Sequence, residues 1–414
     1  KIGLATRNYM NNLDFLEIET PFLIKSTPQN AYVTNNIADI KHIIEKNTRY
    51  GMTINEGWIP WYEPGYSQDN TIYVTGSSSA KITVNIDKSA AKLTLEPTDF
   101  SNSIIRIRFR VENWEALREF SLRLFTDEEM STGYKLNFLN YLARPIDGEW
   151  YNIVFPRSAF EKLGDSPDWT TVRDILIRAK SRINTAFYID EIEVYPDRTT
   201  EGIVTISFDD GHDETYTEAA LYMEQYGLKG TAFVMPDQIG EVGYLNEEQL
   251  DSLNDMGWGI GGHHICNLRK LELSEVETAI SDVKTWLEAR NYNGIDHFAY
   301  PNGGYSKEIQ NIVLEYFSTG RTIDGFNQTL KHIIPGNVNS RTISYKNSTD
   351  ILNAQIDEAI DNKEWLILNF HKLVELADND VEYKINDFQD VIDYLYESGV
   401  SVLPYHEVIK TYMR

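Results

Sequence analysis

The chain has 414 residues, longer than one hydrophobic core usually serves, so two domains or more are expected. A formal charge of −25 disfavours nucleic acid and anionic membrane surfaces, both of which are bound through excess Lys and Arg. No apolar run approaches the twenty residues of a membrane span, and a single cysteine, Cys266, excludes an internal disulfide framework or a Cys-based zinc cluster.

The first ten residues lack the apolar stretch of a secretion signal. Arg7-Asn8-Tyr9-Met10, Phe15-Leu16-Glu17-Ile18-Glu19-Thr20-Pro21 and Ser26-Thr27-Pro28 resemble the first motif of class II aminoacyl-tRNA synthetases of the aspartyl and lysyl kind. The likeness stops near Ala31, and no later segment supplies that family's ATP motifs, so residues 1–31 read as a leader.

Residues 32–199 read as an all-β sandwich. Ile82, Val84 and Ile86, then Ile105, Ile107, Phe109 and Val111 with Arg106, Arg108 and Arg110 between them, show the period of two that buries one face of a sheet. Further strands are predicted at Leu93–Leu95, Phe120–Phe125, Tyr151–Phe155, Ile175–Ile177 and Phe187–Val194. The run Phe187-Tyr188-Ile189-Asp190-Glu191-Ile192 resembles the last strand of carbohydrate-binding jelly-roll modules, and Trp150 resembles a Trp that often opens one of their strands. Five of the eight Trp lie before residue 200, where they could stack on sugar rings, although most Trp in a sandwich fill its core.

From residue 200 to 414 the rhythm becomes strand then helix. Ile203–Phe208 is followed by a helix from about Glu214 to Tyr226, and strands are predicted at Thr231–Met235, Trp258–Gly261, His297–Tyr300, Trp365–Phe370 and Val400–Leu403. Ser274 with Glu277 forms a capping box before Val276, Ile280, Val283 and Leu287 at helical spacing. Repeated βα units predict a parallel sheet, open or closed as a barrel.

The chemistry sits at the ends of these strands. Ser207-Phe208-Asp209-Asp210-Gly211 places two carboxylates where parallel folds build active sites, although an Asp-Gly turn alone would be unremarkable. Downstream follow Gly262-His263-His264-Ile265-Cys266-Asn267, Phe298-Ala299-Tyr300-Pro301-Asn302-Gly303 and Leu366-Ile367-Leu368-Asn369-Phe370-His371. From about Gly202 to Tyr412 this ordered set resembles the NodB-homology polysaccharide deacetylases, carbohydrate esterase family four.

That resemblance implies a distorted (β/α) barrel and metal-dependent removal of O- or N-linked acetyl groups from a polysaccharide such as acetylated xylan or an N-acetylglucosamine polymer. It implies one divalent metal, zinc first, with cobalt, nickel or manganese as alternatives. It makes Asp209 the general base toward the attacking water, Asp210 and His263 metal ligands, and His371 the general acid. The backbone N–H of Asn302 would hold the oxyanion, with Pro301 and Tyr300 shaping that turn toward substrate. Two positions depart from the family. Asn267 stands where a second ligating His is usual, with His264 and His212 as substitutes. Ala299 stands where many members carry an Arg that tethers the base, a place that Arg321 or Arg341 could fill. Cys266 reads as a small packed residue, and His297 and His406 as structural.

The expected partner is a polysaccharide met outside the cell or at its surface, with no nucleic acid and no membrane insertion, and the oligomeric state is open. A rival reading is a non-catalytic carbohydrate-binding protein descended from such enzymes, motivated by the missing second His.

Overall fold

The computed structural model describes residues 48–51, 57–62, 65–142 and 145–413, the first four by backbone alone. The synthetase-like leader lies outside the described residues. Two antiparallel sheets of six strands each come first. One runs in the order Tyr66–Asp69, Ser79–Val84, Thr185–Pro196, Ser103–Val111, Trp150–Phe155, with Thr48–Gly51 also paired to Thr185–Pro196. The other runs Glu161–Leu163, Gly133–Asn137, Leu117–Phe125, Val172–Ser181, Asp87–Thr98, Ile59–Tyr62.

The period-two alternation does what it predicts: Ile105, Ile107, Phe109 and Val111 are buried in one apolar cluster with Phe120, Leu122, Ile175 and Ile177 of the second sheet. On the opposite face Arg108 pairs with Asp190 at 3.0 Å. Ile86 departs from the prediction. Its strand ends at Val84, and Ile86 stands exposed in the turn before the next strand. Trp58 fills the core while Trp61, on the edge strand, is exposed under the Lys92 ammonium.

The C-terminal part is built on eight parallel strands: β1 (Ile203–Phe208), β2 (Thr231–Val234), β3 (Gly259–Gly262), β4 (His297–Ala299), β5 (Thr319–Arg321), β6 (Arg341–Thr342), β7 (Trp365–Phe370) and β8 (Ser401–Val402). Their order is β5-β4-β3-β2-β1-β7-β6, with β8 also against β1. Residues 335–340 run beside β5, where Val338 donates to Gly320 O at 3.0 Å and Thr322 to Val338 O at 2.7 Å, and they lead straight into β6, which pairs with β7. The two sheet edges are thereby joined and the sheet curls on itself. The strands are buried on both faces, as expected of a parallel sheet under helices.

Helix signals were legible to within a turn. The helix Leu273–Glu288 is capped at Glu272, two residues before the predicted cap, with the Glu275 carboxylate accepting the Glu272 N–H at 2.9 Å. Ser274 therefore lies inside the first turn. The stretch predicted as helix at 214–226 is a π-helical segment, Thr215–Ala220, leading into Leu221–Glu224.

The β-rich part and the curled sheet are packed together through the long connection after β5. Phe326 enters the apolar cluster of the antiparallel sheets, its ring 5.0 Å from Phe155 and 5.5 Å from Tyr141. His332 stacks on Tyr195 at 4.1 Å. At the N-terminal end of β7, the buried Glu364 carboxyl accepts from Ser158 Oγ at 2.5 Å and from Asn327 Nδ2 at 3.0 Å.

Burial pushes the Glu364 carboxyl up to about 7, against the hydrogen bonds that favour its ionised form. Its folded value lies above the ordinary 4.5, so its contribution is fully present below that pH and is lost as pH rises through about 7. The loss is on the order of 3 kcal/mol at full ionisation. Thermal midpoints of wild type and Glu364→Gln at pH 5 and pH 8 check this: the wild type should lose more stability across that interval than the variant. Equal losses would show that Glu364 does not titrate there.

Candidate active site

The site forms at the C-terminal ends of the parallel strands. Past β1 the backbone turns sharply: Asp210 (φ 71) and Gly211 (φ 82) are both left-handed, a conformation that Asp tolerates better than most residues and Gly adopts freely. A Cβ at Gly211 would come within 3.3 Å of the Val234 side chain. The turn sends the two carboxylates to different surroundings.

Asp209 is buried against Arg321. The Arg321 guanidinium, itself fully buried, donates through one nitrogen to both Asp209 oxygens at 2.5 Å and through another to Ser340 Oγ at 2.6 Å. Asn369 Nδ2 adds a third donor to Asp209 at 3.0 Å, and its own carbonyl accepts from Ser207 Oγ at 3.0 Å. Burial alone would raise the Asp209 carboxyl, but the Arg321 charge, with His263 and His371, outweighs it and holds the group below its ordinary value.

Arg321 stands directly opposite Ala299 in the register of β4 and β5. The guanidinium expected beside Asp209 thus comes from β5, at the level of Ala299 on β4. Arg341 goes elsewhere, bonding Asn327 Oδ1 at 3.0 Å.

Asp210 faces two imidazoles, with His263 Nε2 3.4 Å from Oδ1 and His212 Nε2 3.8 Å from Oδ2. Burial raises Asp210, and the His263 contact and positive neighbours bring it down to about 2. His263 Nδ1 lies 2.8 Å from Ala299 O, which makes that nitrogen the donor and leaves Nε2 with the lone pair. Two lone-pair atoms facing each other at 3.4 Å call for a proton or a cation between them. Ligands about 2.05 Å from a tetrahedral metal lie about 3.3 Å apart. The backbone carbonyl that orients the ring is the usual outer partner of a metal-bound His. Asp210 and His263 therefore fit a metal, but among the described residues no third His, Cys, Asp or Glu completes a ligand group.

The other expected ligands are placed as follows. Asn267 Oδ1 accepts from Arg269 N at 3.0 Å, capping a short turn, and packs so closely on Gly304 that a Cβ there would fall 2.6 Å from it. His264 is committed to its own loop, its Nδ1 accepting the Cys266 N–H at 3.1 Å. Cys266 is exposed, contrary to the packed position expected of it.

His371 follows β7 with Nε2 3.9 Å from Asp209 Oδ2. Burial lowers its pKa, against the pull of Asp209 and Asp210. Asn302 and Gly303 are left-handed (φ 55 and 63) in the turn after β4. Asn302 is exposed, whereas Pro301 and Tyr300 are buried, and the Tyr300 hydroxyl donates to Gly336 O at 3.2 Å. Tyr300 thus props the turn from beneath and does not line its open side.

Residues 197–316 match the family model described as polysaccharide deacetylase. The C-terminal part carries a polysaccharide deacetylase domain. This places it among hydrolases. YxkH of Bacillus subtilis (strain 168), named as a candidate polysaccharide deacetylase, is 29% identical over 113 residues, 27% of this chain and 40% of that protein. The chain thus matches less than half the length of this relative. Among solved structures, the Xyl-CE4 domain of a multidomain xylanase from the hindgut metagenome of Trinervitermes trinervoides covers 51% of this chain and 91% of its own, at 13% identity and a TM-score of 0.36. A family 4 acetyl xylan esterase from Clostridium thermocellum, in complex with a cobalt ion, covers 50% and 91% at 16% identity and a TM-score of 0.34. At such scores these two likenesses carry no further weight.

Asp209, Asp210, His263, Asn267 and Asn302 lie inside the matched stretch of the deacetylase domain; Arg321, Asn369 and His371 lie beyond it. Sequence reasoning gave Asn369 no role. Its signal was a lone amide in the apolar run Leu366–Phe370, at a position where a buried polar group needs a partner.

Removing Arg321 should leave the Asp209 charge buried and uncompensated. Arg321→Met is expected to destabilise the protein by about 3–5 kcal/mol, the cost of breaking a buried pair from one side. Adding Asp209→Asn should recover part of that loss. Urea unfolding of the two single variants and the double variant checks this, and additive losses would mean that the pair is not energetically coupled.

Proposed function

We propose that the chain is a metal-dependent deacetylase of an acetylated polysaccharide, with the antiparallel sheets forming a β-sandwich accessory domain. One observation carries the reading: an ionised, Arg-held carboxylate, an Asp–His pair spaced for a cation and a second imidazole converge at one mouth of the sheet.

Asp209 serves as the general base. Its three donors fix its orientation, and its low pKa keeps it ionised, so it is ready to accept a proton from water. Asp210 Oδ1 and His263 Nε2 would hold a divalent cation, with Asn267 Oδ1 as third donor or His212 Nε2 after a small turn of its ring. The cation would acidify the attacking water and polarise the acetyl carbonyl. His371 serves as general acid: burial makes its protonated form scarce but a strong donor to the departing oxygen or nitrogen. The Asn302 backbone N–H faces the oxyanion, and the left-handed turn over Tyr300 and Pro301 fixes its direction. A polymer of this size is met outside the cell or on its surface, where we place the protein.

Acetate release from acetylated xylan, chitin oligomers and peptidoglycan, with and without chelator, tests the reading. We expect release from at least one polymer and its loss on chelation. Release that survives exhaustive chelation sinks the metal assignment, and a folded, metal-loaded protein that releases none supports the non-catalytic rival. Asp209→Asn should abolish turnover with metal still bound, whereas Asp210→Asn should lose the metal.

The third ligand is read from metal titration of Asn267→Ala, Asn267→His, His212→Ala and His264→Ala. With Asn267 as ligand, Asn267→Ala weakens binding and Asn267→His strengthens it for zinc-like ions, because imidazole is the better donor. If only His212→Ala weakens binding, His212 is the ligand. His264→Ala should have no effect in either case.

A further inference from the structure

The two antiparallel sheets bury one face each in a shared apolar cluster, and their outward faces differ in how they place charge. On the sheet that contains Ser103–Val111, bases sit opposite acids: Arg106 faces Glu193 and Arg108 faces Glu191 across the strand pair. On the other sheet the register sets like charges side by side. Lys180 stands opposite Lys88, and Arg123 stands opposite Lys135.

Directly opposed like charges destabilise a strand pair. Glu119 relieves part of this, its carboxylate lying 2.6 Å from Arg123, 3.6 Å from Lys180 and 3.7 Å from Arg178. One carboxylate thus serves three cations, and the buried Arg178 Nε finds no acceptor. Asp174 takes Lys92 at 3.2 Å, and Glu161 takes Lys135 at 3.5 Å. Even with Glu96 further along the row of Lys92, the cations of this face outnumber its carboxylates. They do so on a chain whose formal charge is −25.

Aromatic rings stand at one edge of the same face. Trp61 is 41% exposed and carries the Lys92 ammonium 4.5 Å from its ring centre, and Lys88 lies 4.4 Å from the ring centre of Tyr62. Each is an aromatic plate beside a cation. Such a pair can stack the C–H face of a sugar ring and bond a carboxylate on that sugar. A duplex with one negative charge per about 1.7 Å would press that density against the acidic remainder of the chain, whereas an acidic glycan spreads about one charge over each sugar.

We propose that the outward face of the sheet containing Leu117–Phe125 binds a polysaccharide that carries carboxylates, a polyuronate chain. Lys88, Lys92, Arg178 and Lys180 would pair with its acid groups, and Trp61 and Tyr62 would stack on its rings. The ligand would supply the negative charge that the opposed cations of this sheet lack. The proposal does not depend on the deacetylase reading, because its test reads binding and not turnover.

Binding of the full chain to polygalacturonate is measured by calorimetry at rising salt, with a neutral glucan, duplex DNA and anionic phospholipid vesicles as alternatives. We expect binding to polygalacturonate that weakens as salt rises, and none to the neutral glucan. Replacing both Lys88→Gln and Lys180→Gln should weaken binding by roughly tenfold and flatten its salt dependence. Because that change also removes an opposed like-charge pair, the thermal midpoint should not fall. Trp61→Ala should weaken binding with the salt dependence unchanged, since stacking releases no counterions. Lys81→Gln, on the outward face of the other sheet, should bind as wild type does. No binding of polygalacturonate by wild type overturns the proposal, as does wild-type affinity in both the double Lys variant and Trp61→Ala. Equal or tighter binding of DNA or vesicles would mark a surface for polyanions at large and would overturn it too.

Discussion

The buried ion pair between Asp209 and Arg321 is the constraint around which the C-terminal part is arranged. A carboxylate enclosed among apolar strands would ordinarily be driven toward its neutral form. Here a fully buried guanidinium bonds both of its oxygens, and Asn369 adds a third hydrogen bond. Such a pair gains little net stability over an apolar core, since desolvating both charges offsets most of their attraction. What it secures is geometry: a carboxylate that stays ionised in a buried setting and is held in one orientation. Ser340, which takes another guanidinium nitrogen, lies on the segment that joins the sheet edges, so the joining of those edges and the orientation of Asp209 share one guanidinium.

How far this was legible in the sequence follows from what each residue had to signal. The Asp209-Asp210 pair announced itself because it ends a predominantly apolar strand, and His263 and His371 did so by order and by position after strands. The parallel sheet was legible for the same reason, through apolar runs separated by helical periodicity. Thr319–Arg321 and Arg341–Thr342 were not, because two or three residues containing Gly, Thr and Arg show no period. Since Arg321 sits on one of these strands, choosing between Arg321 and Arg341 required the register that sets Arg321 opposite Ala299. The antiparallel sheets were read from alternation and observed with longer strands, because backbone pairing continues past the last apolar residue. Cys266 misled because its residue type is usually buried, whereas its loop holds the backbone outward through His264.

The third donor of the proposed metal site was open in the sequence and is narrowed by geometry. His264 is spent on its own turn, and no carboxylate or thiolate among the described residues takes the place of the missing imidazole. An amide donor is weaker than imidazole, so a site completed by Asn267 would hold its ion less tightly and favour harder metals than a site with two His ligands. The change is compatible with the proposed chemistry, because Asp209, its counter-charge Arg321 and His371 are all in place.

The β-rich part bears on the active site through the same connection. The chain leaving β5 first passes the hydrogen bond of Thr322 to Asp324, then inserts Phe326 among Phe155 and Tyr141, then anchors Asn327 on Glu364 before returning beside β5. A long connection with no packed partner would be a mobile loop, and the strand it flanks would loosen with it. Here all of it but the exposed Lys331 and His332 is buried or half-buried, and it follows directly on the residue that bonds Asp209. The antiparallel sheets therefore buttress the connection that follows Arg321, through Phe326 and His332.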